Sequence, residues 1–181
     1  MDIPVYITLT SEEMEEVTSV GISRNNRALS DGRIPMHGVE VKDERAHITG
    51  ALGEYALANH FGLPWMGDLG HPDRGIPDVG GCHVRTVVHR LYDRMLRGLL
   101  LHEEDADDEP FVLVMQVDPS RFRIVGWRYA HEGKHPYYWW TKTDRPCYRV
   151  PQEDLRPMSD LPDRFSRLGP APGAVEVSRS R

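Results

Sequence analysis

The 181-residue chain has little cysteine, few aromatics and no long apolar run. Its two cysteines, Cys82 and Cys147, are too few for a disulfide framework or a four-cysteine zinc site. Reduced thiols in a cytoplasmic protein are the simplest expectation. No stretch approaches the roughly 18 consecutive apolar residues of a spanning helix. Met1-Asp2-Ile3-Pro4 does not open the basic-then-apolar pattern of a secretory signal. No membrane role is therefore expected. There is no internal repeat, and Gly75, Gly80 and Gly81 lack the spacing of a Walker or dinucleotide loop. Hydrophobic residues make up 39% of the chain, yet its length allows a core without staples. Fourteen prolines and 16 glycines indicate many loops. Collagen-like, coiled-coil and wholly disordered chains are excluded.

The formal net charge is −6, which argues against a general nucleic-acid coat. It does not argue against a nuclease, where the local field decides. The charge is unevenly distributed. Residues 103–109 carry six acidic groups, and that run reads as a solvated turn. From Arg121 to Arg149 there are seven Lys/Arg against two acids, Glu132 and Asp144.

Residues 3–9 read as a short strand. Ser11-Glu12-Glu13 reads as a helix start, with Ser11 as N-cap and acids in the first turn. That helix runs to about Leu29, although Gly21 weakens it. Residues 30–46 read as a loop. From His47 to Phe61, Ile48, Leu52, Tyr55 and Asn59 recur at spacings of three and four, which predicts a helix ended by Gly62 and Pro64. Gly50 and Gly53 weaken it, so close approach to a sheet is expected of both. A Gly/Pro/Asp loop follows over 64–76. Val79 and then Cys82, Val84, Thr86 and Val88 predict two short strands around Gly80-Gly81. Residues 90–101 read as a helix, or as a loop leading to a strand at 99–101. Phe111 to Val117 is a continuous apolar run, the pattern of a strand buried on both faces. Phe122 to Tyr129 is a further strand, 131–149 a polar, aromatic-rich segment, and Tyr148-Arg149-Val150 a last short strand. This order predicts an α+β domain over 1–168 with a central mixed β-sheet flanked by helices. Residues 169–181 are expected to form a disordered tail.

Glu54 on the helix, Pro77-Asp78 before a strand and His83-Val84-Arg85 after the turn line up as a constellation. In this respect the sequence resembles the PD-(D/E)XK nuclease superfamily over residues 47–130. More loosely, the whole chain resembles a class of small phage-encoded proteins. The resemblance implies a restriction-endonuclease-like core and metal-dependent DNA cleavage. Glu54, Asp78 and Arg85 would then be the catalytic residues. Glu54, Asp78 and His83 would hold Mg²⁺ or Mn²⁺, with a backbone carbonyl near Val84. A hard cation suits such oxygen ligands, polarises the phosphoryl group and lowers the pKa of bound water. On a strand, His83 and Arg85 face one way and Val84 the other.

The chain departs from the family pattern twice. His83 stands where the family has Asp or Glu, and Arg85 where it has Lys. Arginine keeps the charge but cannot lose a proton near neutral pH, so it holds phosphate and is a poor water activator. An imidazole ligand suits Mn²⁺, Zn²⁺ or Ni²⁺ better than Mg²⁺. Two readings follow: a DNA-cleaving or DNA-binding nuclease-like domain, and a catalytically inactive interaction protein, such as a phage factor binding a host protein. In the first, Arg121, Arg123, Arg128, Lys134 and Lys142 are candidates for tracking the DNA backbone. His131-Glu132-Gly133-Lys134-His135 matches the H-E-x-x-H zinc-peptidase pattern, but Gly133 and Pro136 argue against the helix that pattern needs. Tyr137-Tyr138-Trp139-Trp140 reads as aromatic capping of the core, as an interface segment, or as a stacking surface for unpaired bases. Cys82 beside His83 reads as a small buried hydrophobe rather than a nucleophile.

Overall fold

The computed structural model describes residues 4–31, 40–67, 76–89, 98–142 and 145–166. Its elements are β1 (Val5–Thr8), α1 (Ser11–Ser30), α2 (Glu40–Phe61), β2 (His83–Val88), β3 (Leu99–Leu101), β4 (Pro110–Asp118), β5 (Arg121–Tyr129), α3 (Ala130–Gly133), β6 (Trp139–Trp140), β7 (Cys147–Val150) and α4 (Asp163–Ser166). The fold is α+β with a central mixed sheet of order β1-β5-β4-β2. β2 runs parallel to β4, and the other pairs are antiparallel. A smaller antiparallel sheet has the order β3-β7-β6.

The N-cap of α1 is Thr10 rather than Ser11. Its hydroxyl accepts from the Glu13 N–H at 3.2 Å, and its own N–H donates to Glu13 Oε2 at 2.7 Å. This reciprocal capping box satisfies two donors that the helix start would leave orphaned. Glu13 also accepts from the Tyr55 hydroxyl at 2.9 Å, so the cap ties α1 to α2. These hydrogen bonds, the Thr10 backbone first, hold the Glu13 carboxyl below its usual range.

α2 begins seven residues before the expected start at His47, so the tract 40–46 belongs to it and not to a loop. The periodicity around Ile48 to Phe61 reports only its C-terminal two-thirds. That part is buried on more than one side: Ala51, Leu52, Ala56, Leu57 and Ala58 are all closed from solvent. α1 and the sheet flank it together, and Val17 of α1 joins the same core. This core continues through Val84, Val112, Val114, Phe122, Ile124 and Trp127. A second core on the opposite sheet face holds Leu99, Leu101, Phe111, Leu113, Ala130 and Val150. The consecutive apolar residues of β4 thus alternate between two cores, which explains the absence of a polar face.

β5 breaks strict alternation. Phe122 and Ile124 are two apart, yet Trp127 is three further on, and all three enter the first core. The register shifts here: Leu113 faces Gly126 and Val114 faces Ile124, which leaves Val125 as the extra residue. A β-bulge of this kind resets the phase of a strand. Trp127 is fully buried, and its indole N–H donates to the Pro157 carbonyl at 3.0 Å.

The expected pair of strands around Gly80-Gly81 is reduced to one bridge, Val79↔Cys82. Both glycines have positive φ, 57° and 78°, the backbone a tight two-residue turn requires. β2 then pairs with β4 rather than with a hairpin partner. β6 was not expected at all. The tail 169–181 and the 90–97 alternative lie outside the described residues.

The two helix glycines separate in the structure. A Cβ on Gly53 would collide with the Thr86 hydroxyl of β2, whereas one on Gly50 would meet nothing within 4 Å. Gly53 therefore marks the close approach, and Gly50 does not. We expect Gly53→Ala to lower stability by about 1–3 kcal/mol through overpacking, and Gly50→Ala to raise it by about 0.5–1 kcal/mol. Urea denaturation of both variants checks this; equal shifts would show that helix–sheet contact does not set the Gly53 requirement.

Candidate functional site

The turn at Gly80-Gly81 is closed by hydrogen bonds from Asp78 N and Val79 N to the Cys82 carbonyl, at 2.9 and 3.1 Å. It folds Asp78 back beside the start of β2, where its carboxylate accepts from the Val84 N–H at 2.8 Å. Glu54 arrives from α2, one residue after the Gly53 contact with Thr86. The two carboxylates feel one another. Asp78 has solvent at its surface, but protein atoms crowd its carboxyl; that crowding first, and the Glu54 charge second, push its pKa up to about 6. The Val84 N–H, His83 and Arg85 pull the other way.

Glu54 is not open. The Arg24 guanidinium of α1 grips both of its oxygens, at 2.8 and 2.7 Å. Arg24 also donates to the Gly67 carbonyl at 2.9 Å, and Trp65 Nε1 donates to Glu54 Oε2 at 3.3 Å. Trp65 in turn meets Tyr55 edge-on at 5.4 Å. Arg24 and Trp65 were invisible to motif reasoning because nothing in their local sequence marks them as partners of Glu54.

His83 and Arg85 share a sheet face, as strand alternation requires, but it is the face of the second core. The His83 ring stacks on Phe111 with centroids 4.6 Å apart, and the Arg85 guanidinium lies 4.9 Å from the same ring. His83 pairs with Glu109, and Arg85 donates to Asp105 at 2.9 Å. The acidic run is an exposed turn, as expected, but acids within it are also paired, and Asp105 and Glu109 are half-buried. Asp105 also accepts from the His102 N–H at 2.9 Å, Asp107 pairs with Lys134 at 2.8 Å, and Glu104 pairs with Arg145. The loop is a belt of counter-ions for cations on β2 and on the segment after β5.

The candidate backbone-tracking cations divide accordingly. Lys134 donates to the Glu103 and Asp105 carbonyls as well as to Asp107. Arg128 donates to the Asp154 carbonyl and lies near Glu132. Both are committed inside the fold. Arg121 lies 4.3 Å over the Tyr6 ring, Arg123 is half-buried, and Lys142 sits 5.4 Å from the Trp140 ring.

The H-E-x-x-H match does not form a zinc site. α3 ends at Gly133, and His135 adopts an extended backbone with φ −87° and ψ 141°. Its Nδ1 accepts from the Tyr137 N–H at 3.2 Å, while Glu132 is held by Arg156. Among the described residues, no three His, Cys, Asp or Glu side chains form a group that could hold a metal ion. The set Glu54, Asp78 and His83 thus reduces to its two carboxylates. Both cysteines are free and buried, and burial pushes the Cys82 thiol up to about 12, which leaves it inert. No helix among the described residues is long and apolar enough to cross a membrane.

No protein-family model, curated protein or solved structure matches the chain.

Because the Asp78 pKa lies above its ordinary 3.8, the folded chain binds a proton more tightly than the unfolded one. This group's contribution favours the fold below about pH 4 and is lost as pH rises through about 6. Glu54→Gln removes the like charge while burial remains, so the Asp78 midpoint should fall below 6 but stay above its ordinary value. Carboxyl ¹³C NMR titration reads it directly; an unmoved midpoint would show that the two carboxylates do not share a site.

Proposed function

We propose that this is a nuclease-like domain that binds nucleic acid and has given up efficient cleavage. What supports the loss of cleavage is that every residue at a motif position has an internal partner. Arg24 covers Glu54, the Val84 N–H holds Asp78, Glu109 takes His83 and Asp105 takes Arg85. Metal-dependent hydrolysis needs carboxylate oxygens open to a cation and a basic group free to face phosphate or water. The Glu54–Asp78 oxygen pair suits a hard cation in type, but a guanidinium already spans Glu54 and the third ligand faces elsewhere. We therefore derive no chemical step through Mg²⁺ or Mn²⁺. Nucleic-acid binding is supported by the resemblance and by Arg121, Lys142 and Arg149, the cations of the basic stretch that lie against aromatic rings.

A second reading, metal-dependent deoxyribonuclease, is favoured by one observation: Asp78, crowded by protein atoms beside the start of β2, also feels the like charge of Glu54. Two carboxylates drawn together are what a cation would relieve.

Purified protein should not cut single-stranded, duplex or branched DNA with Mg²⁺ or Mn²⁺, and neither metal should raise its melting temperature. Cleavage by the wild type that disappears in both Glu54→Ala and Asp78→Ala would overturn this proposal and establish the enzyme.

A further inference from the structure

We propose that the segment Pro136–Lys142, at the edge of the small sheet, is a stacking site for single-stranded nucleic acid; this rests on the reading of the domain as a nucleic-acid binder. Tyr137 is 79% exposed and Trp139 44% exposed, so two large rings are held in water. Neither is loose. Tyr137 meets Tyr138 edge-on at 5.3 Å, and Trp139 meets Tyr148 edge-on at 4.9 Å. Such contacts fix ring orientation without stacking.

Two cations flank Trp140, while Asp154 accepts from the Tyr138 hydroxyl at 3.0 Å. Lys142 Nζ lies 5.4 Å and the Arg149 guanidinium 4.9 Å from the Trp140 ring. Trp139 and Trp140 are consecutive on β6, so they point to opposite faces of the sheet. β6 is the last strand of its sheet among the described residues. A chain whose bases stack on Tyr137 and Trp139 therefore passes over this edge and brings its phosphates to Lys142 and Arg149. The combination favours a polyanion with open π-faces. Unpaired bases offer both faces, whereas a duplex buries its faces in its own stack. The geometry needs neither Glu54 nor Asp78, so binding should proceed without divalent metal.

The test uses the full chain in chelator with labelled oligothymidylate of about 12 nucleotides, within the range of such sites. A duplex of equal length is the comparison, and anisotropy and tryptophan quenching are the readouts. We expect binding with quenching, single strand preferred over duplex. Tyr137→Ala and Trp139→Ala should each weaken binding about tenfold, the size of one lost stacking contact. Trp139→Tyr, which keeps a ring, should retain most of the affinity. Lys142→Gln should reduce the logarithmic salt slope by about 0.7, one phosphate contact on a single strand. Unchanged melting temperatures would show that the variants fold. Failure of both nucleic acids to bind the wild type would overturn the nucleic-acid reading and this inference together. Binding that Tyr137→Ala and Trp139→Ala leave intact would overturn the stacking site alone. Preference for duplex would do the same, and would return Tyr137 and Trp139 to the role of a protein-contact surface.

Discussion

The close approach of α2 to β2 at Gly53 sets the rest of the site. With no side chain at that position, the helix backbone rests on Thr86. The next residue, Glu54, is thereby delivered to the end of the sheet where the Gly80-Gly81 turn presents Asp78. A bulkier residue would lift the helix and part the carboxylates. α1 follows, because its contact with α2 brings Arg24 onto Glu54 and Val17 into the core. The absent methyl group at Gly53 thus governs the helix–sheet contact and the charge constellation, while α1 meets α2 at Gly21, where a Cβ would lie 2.5 Å from the Ile48 Cα.

The second organising feature is the distribution of counter-ions. A net charge of −6 suggests a repelling surface, but three of the six acids in 103–109 pair with Arg or Lys of the same chain and two more meet histidines. The Arg85–Asp105 pair is partly shielded from solvent, where screening is weaker than for exposed pairs such as Lys134–Asp107. The run binds β2 to the segment after β5, two regions without a backbone ladder between them. Arg85 and Lys134, which a nuclease would turn toward phosphate, are here turned toward carboxylates of the same fold.

Local pattern revealed what local physics controls. The spacing of Ile48, Leu52 and Tyr55 marked the end of α2, the apolar run from Phe111 marked β4, and Gly80-Gly81 marked a turn with positive φ. The start of α2 was hidden because residues 40–46 are largely polar and carry no apolar rhythm. β6 was hidden because two tryptophans in a row have no readable period. In β5, the step from Ile124 to Trp127 shows its cause only once the partner strand locates the bulge at Val125. The site was half legible. Glu54, Asp78, His83 and Arg85 were found as residues, but what occupies them was not. Arg24 lies 30 positions from Glu54, Glu109 lies 26 from His83 and Asp105 lies 20 from Arg85. Pairings at such separations are set by topology, so composition showed the acidic run as an exposed turn and not which cations it meets.

The parallel pairing of β2 with β4 also has a kinetic meaning. β4 and β5 meet across a short turn, with Asp118 opposite Arg121, so their hairpin closes a small loop. β2 reaches β4 only after the chain between Val88 and Pro110 has closed, and that chain carries β3 and the acidic run. Loop-closure entropy places such long-range parallel contacts late in assembly. The ion pairs of Asp105 and Glu109 with β2 lie within this crossing. They contribute little to the first encounter and hold the strand once it has arrived, so their weight falls on the rate at which the finished sheet reopens.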